Sequence, residues 1–196
     1  MAEHAAAPSG TPTPGAACWP AASCTGHRPQ HLTQAQRHWV RAELDRVTAK
    51  LAGAHGTTRG NSGMAIGADM WWADALLRRG LDLWAHVPFP QQPDRWSTGD
   101  QAEWARVKAA AARVVVYGDN YDVALLHERN DGLLDDCDVL VAVWRPSKRG
   151  GGTASAVGKA ARRGLPIIHL NPDDCTTRLP GPAYWQRQFP RQPAHR

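Results

Sequence analysis

No apolar run in the 196 residues approaches the roughly 18 that a membrane-spanning helix requires, so no membrane partner is expected. Cysteine is scarce: Cys18, Cys24, Cys137 and Cys175 lie far apart, with no C-x-x-C pair among them. That argues against a zinc site and a disulfide framework, and leaves reduced, structural thiols in a cytoplasmic protein as the expectation. The first twenty residues lack both a basic start and the apolar stretch of a secretory signal. Rich in Ala, Pro, Ser, Thr and Gly, they read as a disordered leader. No internal repeat of useful period is present, and nothing in the pattern calls for a metal or a cofactor.

What is present suits one globular domain. The apolar share is 42% and the charged share 21%, ordinary values for a chain of this length. The net charge of +5 is unevenly placed: residues 145–196 carry +8 and the rest −3. The basic C-terminal portion could attract nucleic acid weakly, but residues 173–196, rich in Pro, Gln and Arg, read first as a solvated tail.

Apolar strands alternate with helices along the chain. A short strand over Ala21–Thr25 runs into Gly26. Thr33, with Gln36 three residues on, is spaced as a capping box for a helix reaching about Ala52. Leu81–Phe89 reads as a strand, Gln101–Ala112 as a helix, Arg113–Tyr117 as a short buried strand, and Asn120–Asp135 as a helix. Asp138–Trp144 is the clearest strand, followed by a helix over Thr153–Arg163 and a last strand over Pro166–Leu170. The pattern predicts an α/β, Rossmann-like three-layer fold with a mainly parallel sheet, its ligand site beyond the carboxyl ends of the strands.

Three loops sit at strand-to-helix junctions. In the first, Gly26 allows a sharp turn while Thr25 and Arg28 offer a hydroxyl and a guanidinium to an anion. In the second, Ser62, Gly63 and Gly67 precede a helix whose N-terminal amides and dipole favour a phosphate; Asp69 reads first as that helix's cap, and second as an acceptor for a ribose hydroxyl. In the third, Gly150, Gly151, Gly152 and Thr153 follow the strongest strand and a linker holding Arg145, Lys148 and Arg149, a combination suited to cradling phosphate. For each, the competing reading is an ordinary loop. His127, Asn130 and Asp131 share one helical turn and could face the same ligand. Of the adjacent Trp71 and Trp72, one should face the core and the other a second surface, which suits a homodimer.

In order along the chain, Thr25–Pro29, Ser62–Asp69, Asn130–Leu140 and Gly151–Thr153 resemble the motifs of the SLOG superfamily, the Rossmann-like group of DprA and LOG proteins, and its small YpsA-like branch in particular. The resemblance spans about residues 21–171 and marks 21–172 as a nucleotide-binding domain. It implies a nucleotide-type ligand anchored by the second and third loops, held by a sensor or sequestering module. It also implies two alternatives. One is a LOG-like hydrolase of a nucleotide N-glycosidic bond, with Arg129 and Glu128 of the segment His127–Asn130 as active groups. That segment resembles the LOG H-x-R-K sequence, but Ala156 stands where LOG enzymes carry an acid, so Glu128, Asp131 or Asp69 would have to substitute. The other alternative is DprA-like nucleic-acid binding.

Overall fold

The computed structural model describes residues 15–190. Within them, seven strands form one sheet in the order β4-β3-β2-β1-β5-β6-β7. These are β1 (Ala21–Gly26), β2 (Arg59–Ser62), β3 (Asp82–Val87), β4 (Arg113–Val116), β5 (Val139–Val143), β6 (Ile167–Asn171) and β7 (Thr176–Arg178). All neighbouring pairs are parallel except β6 with β7. The α/β, Rossmann-like architecture expected from the pattern is therefore present.

The helices α1 (Gln34–His55), α2 (Ala68–Arg78) and α3 (Thr98–Ala109) connect β1 to β4, while α4 (Val123–Asp135), α5 (Gly152–Arg163) and α6 (Pro182–Gln188) complete the described chain. Two apolar clusters result. One joins Val40, Leu44, Trp72 and Leu76 to Leu83 and Val141; the other joins Leu140, Trp144 and Ile167 to Val157 and Trp185. Thr33 and Gln36 form the capping box that opens α1, and Gly56, in the left-handed conformation, closes it. Trp72 is fully buried and donates to the Asn61 carbonyl, whereas Trp71 is partly exposed beneath the Arg41 guanidinium.

Several expectations need amendment. β4 is not buried: it pairs only with β3, at the sheet edge, and Val114 and Val116 are 39% and 48% exposed. β2, which lacks the apolar run of a central strand, is central nonetheless. Its polar side chains are bonded inside: Asn61 donates to Ser23 Oγ and to the Asp136 carbonyl, and Ser62 donates to the Asp69 carbonyl, while Asn61 Oδ1 is left without a partner. Residues 176–188 are not a free tail. β7 extends the sheet, and α6 buries Trp185 against Trp144. Of the expected leader, residues 1–14 lie outside the described residues, while Trp19 is buried and stacks on His55.

Candidate functional site

From β1 and β5 the strand order runs outward to opposite edges, so the crevice between their carboxyl ends is the topological switch point of the sheet. A cleft of about 390 Å³ opens there. Its walls are the end of β1 and the loop after it (Thr25, Gly26, His27, Arg28), the entry to α5 (Gly150 to Thr153) and one face of α4 (His127, Arg129, Asn130). Gly151 takes φ +91° and caps α5 without a side-chain bond, which leaves the first-turn amides for another acceptor. A Cβ built at Gly150, Gly151 or Gly152 would meet nothing within 4 Å, so this loop borders open space. The Thr153 hydroxyl donates to the Gly26 carbonyl at 3.0 Å and ties the start of α5 to the end of β1.

The second loop works differently from the expectation. Ser62 is fully buried and braces its own turn, accepting from the Met64 amide. Gly63 leaves room for Arg129, which donates through Nη1 to the Gly63 carbonyl. Gly67, at φ +104°, caps α2, and a Cβ there would approach the His27 carbonyl to 2.7 Å. These residues let the first loop pack on the second and do not line the cleft. Asp69 is not the cap of α2 but lies in its first turn, buried, with the Gly26 and Ala65 amides donating to its carboxylate. Burial raises its pKa to about 6, and the neighbouring Arg129 limits the rise.

Charge around the cleft is of one sign. Arg28 and Lys148 line it from the surface, and Arg129, only 7% exposed, lines it from within, its Nε unpartnered. None of the described residues lining it is Asp or Glu. Of the other two linker cations, Arg145 is held by Asp173 at 2.6 Å, and Arg149 donates to the Gln188 carbonyl. Glu128 is exposed and outside the cleft; Asp131 turns away to Lys159, at 2.7 Å. Ala156 is buried in α5 and does not face the cleft.

His27 and His31 are neutral acceptors. His27 Nε2 accepts from the Arg145 amide at 3.0 Å, and burial lowers its pKa to about 4. His31 Nδ1 accepts from Lys148 Nζ at 3.0 Å, and desolvation, then the Lys148 charge, lowers its pKa. Neither histidine was singled out from the sequence, nor were Ala65, Val123 and Leu126 of the lining. The helical spacing of His127 and Asn130, extended back one turn, reaches Val123 and Leu126; Ala65 belongs to the Ser62–Asp69 motif, and His31 carried no local signal.

No protein-family model matches the sequence, and no curated protein matches it. Solved structures do. DNA processing protein A (DprA) from Streptococcus pneumoniae superposes with a TM-score of 0.57 at 15% identity, over 76% of this chain and 50% of that one. DprA from Helicobacter pylori, described by its mode of binding single-stranded DNA, gives 0.55 at 14% identity, over 86% of this chain and 71% of that one. The chain shares the fold of these structures. A molybdenum cofactor binding protein from Rippkaea orientalis shares it, with a TM-score of 0.52 at 18% identity over 78% and 76% of the two chains. The present chain spans half the length of the pneumococcal protein. The shared fold accounts for the layer order.

Proposed function

We propose that the chain is a binding module for a nucleotide-type ligand, whose phosphate rests on the first turn of α5 between Arg28, Lys148 and Arg129. One observation carries this reading: a crevice at the switch point joins free helix amides to three cations, with no carboxylate among the described lining residues. Amides at a helix start and guanidinium groups favour an anion, and a partly buried site strengthens both. Val123 and Leu126 supply an apolar wall for the rest of the ligand.

The hydrolase reading is weaker, because cleaving an N-glycosidic bond calls for negative charge beside a cationic sugar. The candidate acids stand elsewhere: Glu128 and Asp131 outside the cleft, Asp69 behind Arg129 with its carboxylate bound to backbone amides. Two of the structural neighbours are described by what they bind, single-stranded DNA and molybdenum cofactor, in keeping with a binding role. Nucleic-acid binding through the basic C-terminal portion has less support, since Arg145, Lys159, Arg163 and Arg178 are engaged by acidic side chains.

Calorimetric titration with AMP tests the proposal. Arg28→Ala and Lys148→Ala are each expected to weaken binding about tenfold, the loss of one charge-assisted hydrogen bond. Equal affinity in the wild type and both variants would place the phosphate elsewhere.

A further inference from the structure

The loop entering the cleft, residues 145–151, holds no large apolar side chain and ends in consecutive glycines, so its own sequence cannot hold it in one conformation. Arg145 and Ser147 are tied to Asp173. The half that reaches the cleft is held by α6 and the aromatic residues around it. Trp144, fully buried at the end of β5, donates through Nε1 to the Lys148 carbonyl at 3.1 Å. Its indole is caged by Trp185 and Phe189, with ring centroids 6.2 and 5.2 Å away. Arg149 reaches the other way and donates to the Gln188 carbonyl, in the last turn of α6, at 3.1 Å. A third contact bears on α5 itself. Glycine inside a helix costs about 1 kcal/mol relative to alanine, yet Gly158 stands mid-helix, and a Cβ there would lie 2.9 Å from Phe189 Cδ1. Gly158 is the socket for Phe189.

We infer that the C-terminal segment 182–189 positions the ligand loop: through Phe189 on Trp144 and Gly158, and through Gln188 on Arg149, it fixes the Lys148 backbone and the start of α5 in the cleft. This rests on the cleft being the ligand site. Pre-ordering a loop improves affinity because binding no longer has to order it. Phe189, Trp144 and Arg149 act as positioning residues, none of them lining the cleft.

Amide exchange of the ligand-free full chain tests the positioning without any ligand. Phe189→Ala, which alters no charge, and Arg149→Gln should each speed exchange of the hydrogen-bonded Lys148 and Ser155 amides about tenfold while leaving β1, β2 and β3 protected. Phe189→Leu should restore most of the protection. AMP titration should then show binding weakened about fivefold by Phe189→Ala. Loop exchange within twofold of wild type in both variants would overturn the inference, as would accelerated exchange with unchanged AMP affinity. If Phe189→Ala fails to fold, exchange in Arg149→Gln decides alone. A wild type that does not bind AMP, while its loop still responds to these substitutions, would refute the choice of ligand site and leave the tether standing.

Discussion

The Arg129 guanidinium and the Asp69 carboxylate face each other at 3.8 Å, each side chain only 8% exposed. They join the face of α4 that lines the cleft to the two loops behind it, because Asp69 also accepts from the Gly26 and Ala65 amides. The two members are not equivalent. An arginine cannot shed its charge when its partner is removed, whereas a carboxylate can take up a proton.

Asp69→Ala is therefore expected to destabilise the fold by about 3 kcal/mol at neutral pH, through the uncompensated buried charge it leaves. Arg129→Gln should cost a similar amount at pH 8 but clearly less at pH 5, where Asp69 protonates. Urea unfolding of both variants at the two pH values checks this. A loss from Arg129→Gln that is the same at both would contradict the coupling.

Acid should weaken the wild type. His27 and His86 are both lowered to about 4 by burial, and His169 is lowered as well. Each binds fewer protons folded than unfolded, so the stability it contributes above pH 6.5 is lost as pH falls toward 4. Asp69 works in the opposite sense: its raised pKa favours the folded state as pH falls from about 6 to 4. The histidines outnumber it, and the expected outcome is a Tm that falls across this window. His86→Asn should flatten the fall; a Tm that rises on acidification would show that Asp69 dominates.

Two glycines of similar appearance in the sequence should behave oppositely. Gly67→Ala forces a side chain into φ +104° and against the His27 carbonyl, at a cost of about 2 kcal/mol. Gly152→Ala meets nothing within 4 Å and should be close to neutral or slightly stabilising, since it removes a glycine from a helix. Thermal unfolding of the pair distinguishes them, and equal losses would contradict the assignment of Gly67 to packing.

Gly152→Glu places a carboxylate at the first position of α5, where the helix dipole tolerates it. Stability should remain within about 0.5 kcal/mol of wild type, while the rise in Tm that AMP gives the wild type disappears. A variant that keeps the full AMP response would remove the phosphate from the start of α5.

Strands β3, β5 and β6 and helices α1 and α5 were legible because their apolar patterns or caps are local. β2 was not, since Arg59–Ser62 owes its place to bonds that Asn61 donates to Ser23 and Asp136, which lie far off in the chain. The edge position of β4 depends on strand order, which Arg113–Val116 alone does not encode. In β7 and α6, charge and proline hid the informative residues, Trp185 and Phe189, whose partner Trp144 lies more than 40 residues away. At the site, the first and third loops and the His127–Asn130 face do meet in one cleft. The second loop shares their sequence character, but its glycines serve the approach of Arg129 and of the first loop.

The central claim is binding without turnover, and one incubation tests it most directly: AMP with the wild-type protein, followed by chromatography for free adenine and by equilibrium binding on the same sample. The account predicts saturable binding with no adenine release above the protein-free control. Steady adenine release that Arg129→Gln abolishes while AMP still binds would contradict it, and would mean that a carboxylate outside the described cleft lining reaches the sugar.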